Sequence, residues 1–305
     1  MAKVSIILPV YNVKPFLREA LDSVINQTMQ DIEIICVDDC STDGSYDILQ
    51  EYASKDSRIK VVKQEKNQGE VVAKYVGALQ ASSEYIATLD PDDYYALDFC
   101  EVLYNEIIKN NADVACCNRQ HISEDGKIKK GRVFLLTKED KCIDFDASYI
   151  NKINPATTNK IMRKSICLNS LNFNERDILK DFYQYWRGFT VNDCKVYLSS
   201  KVLYFYRKRK SSIVHTKIDY TERWNSFIKT VDMILKYLIE NNRYELYRQS
   251  FWMNVAKTVK KMYKYRFNYN NSINKLQSIA NKYSIPEKDL FILDTNRLKI
   301  FFIGR

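Results

Sequence analysis

Glycine is scarce in this chain: it has seven among 305 residues, at positions 44, 69, 77, 126, 131, 188 and 304. None forms G-x-G-x-x-G or G-x-x-x-x-G-K-[ST], which excludes a dinucleotide fingerprint and a P-loop as the means of holding phosphate. The eight cysteines offer no paired C-x-x-C spacing for zinc, and Cys36, Cys116 and Cys117 sit in apolar runs, where a free thiol behaves as a small hydrophobe. Long hydrophobic runs are missing too. The first, Val4-Ser5-Ile6-Ile7-Leu8, is too short for a secretory core or a membrane span and has no small-residue cleavage pattern, so a cytosolic protein is expected. There is no internal repeat or low-complexity segment, and 46% hydrophobic with 28% charged residues suits a soluble globular chain.

Positive charge is absent as an excess from most of the sequence. From Thr216 onward there are 17 Lys and Arg against 8 Asp and Glu, a difference equal to the whole net charge of +9. This tail interleaves Lys257, Lys260, Lys261, Lys264 and Arg266 with Val255, Val259, Met262, Tyr263 and Tyr265, the pattern of a basic amphipathic helix. Two readings stay open: a peripheral contact with anionic membrane, or a helical cap whose apolar side packs on the rest of the chain or on a second subunit in a homodimer. Nucleic acid is not expected, because no DNA- or RNA-reading motif accompanies the basic patch.

The first third alternates short apolar runs with amphipathic stretches. Strands are expected at 4–10, 32–37, 59–62, 85–89 and 113–117, with helices at about 15–26, 45–53, 70–81 and 97–109 between them. Such alternation predicts an α/β fold with a mostly parallel sheet and helices on both faces. Ligands of these sheets bind at the carboxyl ends of the strands, where Tyr11-Asn12, Asp38-Asp39 and Asp90 to Asp93 fall. Beyond 118 the pattern loosens: a polar hairpin at Ser123 to Lys127, a helical stretch near 138–150, short strands, an aromatic helix at 181–189 and a helical tail from about 219.

Thr88-Leu89-Asp90-Pro91-Asp92-Asp93-Tyr94 sets three carboxylates within four positions just after an apolar strand. Hard cations such as Mg²⁺ and Mn²⁺ favour oxygen ligands and are commonly held by one or two carboxylates plus a substrate's phosphates. Pro91 biases Asp90 towards an extended backbone, and residues two apart on an extended chain face one way, so Asp90 and Asp92 can converge on one ion. A solvated Asp-Pro turn is the alternative.

Several ordered motifs carry a resemblance. They are Ser5-Ile6-Ile7-Leu8-Pro9-Val10-Tyr11-Asn12, Ser23 to Thr28, Val37-Asp38-Asp39-Cys40-Ser41-Thr42-Asp43-Gly44-Ser45, Asn67-Gln68-Gly69, Leu89 to Tyr94, and Asp181 to Arg187. In this order and spacing, over roughly Lys3 to His215, the chain resembles the inverting glycosyltransferases of family 2, which have the GT-A fold. It looks most like bacterial enzymes of capsule, lipooligosaccharide or O-antigen synthesis.

The resemblance implies the following roles. Pro9, Val10, Tyr11 and Asn12 pack on the base and ribose, and Asp39 accepts the uracil N3–H, as a carboxylate can only accept. Asp92 carries Mn²⁺ or Mg²⁺ against the diphosphate and Asp90 contacts ribose or the metal, while Asp93 caps or orients the following turn. Lys74 stands where Arg is frequent, and either contacts phosphate or is a solvated helix residue. Asp181 is the general base, in Lys180-Asp181 where relatives carry Glu-Asp, with an N-cap as its alternative. His215 matches a metal or diphosphate position in some relatives. Cys40 replaces a frequent Gly, from which a turn without positive φ is expected.

The expected function is transfer of a hexose or N-acetylhexosamine from a UDP-sugar to a glycan or lipid-linked saccharide acceptor. A catalytically silent sugar-nucleotide-binding subunit is the alternative, and a sugar-phosphate nucleotidyltransferase lacks its Gly-rich loop. Expected boundaries are 1–215 for the catalytic domain, divided at 118/119 into nucleotide and acceptor halves, and 216–305 for the helical extension. The expected location is cytoplasmic, with a peripheral contact on the inner membrane's cytoplasmic face if the tail binds lipid.

Overall fold

Strand β1 (Val4–Val10) and strand β2 (Ile32–Asp38) are buried at every position, as strands covered on both faces must be. The structure, a computed structural model, describes residues 1–150, 157–172, 179–190, 193–209, 220–263 and 269–286. Between the two strands runs α1 (Lys14–Ile25), with Pro15 in its first turn and Leu17, Ala20, Leu21 and Val24 buried at helical spacing. Each such aliphatic side chain contributes on the order of 1.5–3 kcal/mol by leaving water.

The first half continues with α2 (Ser45–Lys55), β3 (Ile59–Lys63), α3 (Glu70–Gln80), β4 (Tyr85–Thr88), β5 (Tyr94–Tyr95), α4 (Phe99–Asn110) and β6 (Val114–Ile122). Strands β1 to β4 pair in parallel, β2 with β3 and β1 with both β2 and β4. Ile6, Leu8 and Val10 share a core cluster with residues of α1, α2 and α4. Ile7 faces the other way, towards α3, where a Cβ added to Gly77 would lie 2.5 Å from its Cγ2. Helix and strand touch there because no side chain intervenes.

Beyond β6 come β7 (Ile128–Phe134), β8 (Lys141–Asp144), β9 (Lys160–Arg163), α5 (Lys164–Leu171), α6 (Lys180–Thr190) and β10 (Lys195–Arg207). The sheet order is β3-β2-β1-β4-β9-β6-β10-β5, with β7 on β6 and β8 on β10. The fold is thus the expected α/β class, but its second half is mixed: β9 lies antiparallel between β4 and β6. The helix expected near 138–150 is replaced by β8, whose four residues pair antiparallel with β10. Tertiary pairing here overrides local pattern.

The chain forms two compact units, one of Met1–Phe145, Asn154–Asn174 and Asp193–Ile213, the other of Asp146–Ile153, Glu175–Asn192 and Val214–Arg305. This differs from the linear boundary expected at 215, because α6 belongs with the C-terminal helices α7 (Tyr220–Glu240), α8 (Tyr244–Tyr263) and α9 (Tyr269–Lys282). Trp186 of α6 meets Tyr247 and Phe251 edge-on, with centroids 6.1 and 5.4 Å away. Phe227, Val231, Ile234, Leu235 and Leu238 of α7 are buried as their period predicted. Tyr247, Phe251, Trp252, Val255 and Val259 of α8 are buried as well, so these residues form a packed interior and not a lipid-facing stripe. Lys264 and Arg266 lie outside the described residues. Among the described residues no helix is long and apolar enough to cross a membrane.

Candidate active site

The strand ends of the first unit gather the expected polar residues. Asp39 follows β2 and is buried; its Oδ1 accepts the Gln68 N–H and its Oδ2 the Gly69 N–H, both at 2.7 Å. Gly69 has φ 93, a conformation that favours glycine, and it begins α3. Asp39 therefore pins the loop that launches the helix bearing Lys74. Each carboxylate oxygen has a second lone pair, so accepting from a base N–H is compatible with this arrangement.

The segment from Pro9 to Asn12 divides. Pro9 and Val10 are buried within β1, and Val10 packs in the core, so its side chain has no access to a ligand. The expected contact of this segment with base and ribose is thereby left, at Val10, to the backbone. Tyr11 is 48% exposed and offers its ring. Asn12 stands at φ 47 and accepts the Thr42 N–H at 2.8 Å, tying the first loop to the second. Cys40, in that second loop, has φ 67, which overturns the expectation of an ordinary turn. The neighbouring bonds, from Ser41 N–H to the Asp38 carboxylate and from Gln68 and Gly69 to Asp39, fix the chain on both sides of it.

Lys74 is not a solvated helix residue. Only 3% exposed, it donates to Asp90 Oδ1 at 2.9 Å and to Glu70. Burial opposes its charge, yet Asp90 and Glu70 hold the ammonium protonated well above the usual lysine range. Burial in turn pushes the Asp90 carboxyl up to about 7 against the pull of Lys74, with repulsion from Glu70 and Asp92 adding to the rise.

Asp92 pairs with a residue the sequence reading passed over: Arg209 Nε lies 2.6 Å from its Oδ2. Burial raises the Asp92 carboxyl and Arg209 lowers it. Arg207, buried at the end of β10, donates Nε–H to the Asp92 carbonyl at 2.8 Å and its backbone N–H to Asp93 Oδ1 at 2.7 Å. Asp93 also accepts the Tyr204 hydroxyl, and burial followed by repulsion from Asp92 and Asp90 raises it strongly. It is a buried structural carboxyl, as expected. The available signal for Arg207 and Arg209 was two arginines at a strand's carboxyl end, in Tyr206-Arg207-Lys208-Arg209.

Among the described residues no three His, Cys, Asp or Glu side chains are grouped to hold a metal unaided. A Mg²⁺ or Mn²⁺ site made of one or two carboxylates and substrate phosphates needs no such group. Asp90 and Asp92 fit it: both are hard oxygen donors, and the charge of one raises the other. His215 lies outside the described residues.

In the second unit Asp181 is exposed in the first turn of α6, where a carboxylate complements the helix N-terminus. Its helix is held from the C-terminal side. Thr230 Oγ1 accepts the Leu179 N–H at 2.8 Å, and the Tyr237 hydroxyl donates to the Arg187 carbonyl at 3.0 Å.

Residues 5–171 match the family model described as Glycosyl transferase family 2. The chain belongs to that family. It is 31% identical over 229 residues to the glycosyltransferase GlyG of Streptococcus pneumoniae, covering 71% of this chain and 74% of GlyG. It is also 31% identical over 230 residues to GlyA of the same organism, covering 73% of this chain and 32% of GlyA, so it spans about a third of that relative's length. A crystal structure of Staphylococcus aureus TarS 1–349 in complex with UDP-GlcNAc superposes with a TM-score of 0.73 at 20% identity, over 94% of this chain and 82% of that one. The GT-A architecture expected from sequence is therefore the observed fold.

Proposed function

We propose that this family 2 glycosyltransferase is an inverting enzyme. It transfers a hexose or N-acetylhexosamine from a UDP-sugar to a glycan acceptor in surface polysaccharide synthesis. One observation carries the reading: two carboxylates at the end of β4, Asp90 and Asp92, are each faced by a cation, Lys74 and Arg209. A diphosphate brings negative charge that Lys74 and Arg209 can meet, and it leaves the carboxylates to a divalent cation. Bound Mn²⁺ or Mg²⁺ supplies electrostatic stabilisation of the charge that develops on the departing UDP. Asp39 accepts the uracil N3–H and Tyr11 stacks on the base, while Asp181 takes the proton from the acceptor hydroxyl. The UDP-GlcNAc held by the TarS structure supports this donor class.

The test is a screen of UDP-sugars by thermal shift, with and without Mn²⁺, followed by transfer assays. A ligand that binds only the folded state raises its melting temperature. Stabilisation by UDP and loss of transfer in Asp92→Ala and Asp181→Ala are expected. Full activity in both variants would sink the reading, and binding without turnover over a panel of acceptors favours a silent binding subunit.

A further inference from the structure

The hairpin of β6 and β7 carries a surface that the transfer chemistry does not use. Val133, Phe134 and Leu135 are 38%, 42% and 53% exposed in succession, and Ile128 on the same hairpin is 59% exposed. In sequence, Lys127, Lys129, Lys130, Arg132 and Lys138 are interspersed with and flank them, with no acidic residue between Asp125 and Glu139. Among the described strands β7 pairs only with β6, so its outer edge has no strand neighbour. Lysines commonly protect such an edge from pairing, but three consecutive exposed apolar residues are what a protected edge avoids.

We propose that this hairpin docks on an anionic bilayer surface. Charge decides the occupant. A second copy would set one basic strand against another, whereas anionic headgroups attract Lys and Arg and the layer beneath them accepts Val, Phe and Leu side chains. The hairpin is also fastened to the carboxylate cluster. Arg207 Nη1 donates to the Glu124 carbonyl in the hairpin turn at 2.8 Å, while its Nε donates to the Asp92 carbonyl. The turn is closed by Ser123 N–H to the Lys127 carbonyl at 2.9 Å and Gly126 N–H to the Ser123 carbonyl at 3.0 Å. One buried guanidinium thus holds both the arm and the acidic motif, which would bring a lipid-anchored acceptor to the strand ends. The inference stands apart from the choice of donor sugar.

Vesicle flotation tests it, using the full chain with phosphatidylcholine vesicles that contain or lack phosphatidylglycerol. The expected result is binding only to the anionic vesicles, weakened by salt. Val133→Ser/Leu135→Ser and, separately, Lys127→Glu/Lys129→Glu should each lower binding by about tenfold or more at an unchanged melting temperature. Lys257→Glu, on α8, should leave it intact. The proposal is overturned if the wild type ignores anionic vesicles, if the hairpin variants bind as well as the wild type, or if Leu135→Ser instead converts a solution dimer to monomer. UDP-induced stabilisation of every variant is measured in parallel, so a misfolded protein is recognised and the donor reading is judged independently.

Discussion

Lys74 Nζ sits 2.9 Å from Asp90 Oδ1 and is almost wholly removed from solvent, although it belongs to a helix and not to the strand-end loops. Lys74→Met therefore removes the cation from a carboxyl already raised to about 7. We expect a fall in UDP affinity of about tenfold, measured by calorimetry, and a stability loss of about 1–3 kcal/mol in urea. Lys74→Arg should recover part of the affinity, since its charge is retained but its shape differs.

Glu33 gives a pH-dependent contribution. Burial works against its ionisation, yet hydrogen bonds from Ser5, Lys60 and Ser82 hold its carboxyl down at about 2, below the ordinary 4.5. A group with a lowered folded pKa stabilises fully above 4.5, and that contribution is lost as pH falls from 4.5 towards 2. Glu33→Gln should cost about 2 kcal/mol at pH 7 and progressively less below pH 4.5. Urea titrations at pH 7, 5 and 3 provide the comparison.

Gly77→Ala places a methyl 2.5 Å from Ile7 Cγ2 and 3.3 Å from Val37 Cγ2, between α3 and strands β1 and β2. Neither neighbour is a flexible side-chain end. The expected cost is about 1–3 kcal/mol, read as a lowered urea midpoint with an unchanged slope. Relief of the loss by Ile7→Ala in the same chain would identify the clash as its cause.

Cys40 occupies the left-handed region at φ 67, where an L side chain is strained. Cys40→Gly should raise stability by about 0.5–1 kcal/mol, the released strain being partly offset by the greater freedom of glycine in the unfolded chain. Cys40→Val should lower it. Denaturant midpoints of both variants, taken at one pH, give the sign.

The first four strands were legible as short apolar runs bounded by polar residues, and their helices because burial is periodic: Leu17, Leu21 and Val24 mark the inner side of α1 without reference to any distant residue. Asp39, Asp90 and Asp92 were legible because strand ends are where such sheets bind ligands. Strand β8 was not, since Lys141–Asp144 is polar at both ends and owes its extended form to β10. Arg209 was hidden for a similar reason: only the course of β10 brings it to Asp92. The conformation of Cys40 depends on the bonds made on either side of it by Asp38 and Asp39, which its own residue type argues against.

The antiparallel strand between β4 and β6 also governs the order of assembly. Tyr85 pairs with Arg163 and Val114 with Met162, so two strands made early await a neighbour that arrives dozens of residues later. During synthesis β4 lacks this neighbour until residue 163 has been made, and only then does the sheet close, because β6 reaches the first four strands through β9. Contacts so far apart in sequence slow folding, which makes this closure the step at which a nascent chain is most exposed to pairing with the wrong partner.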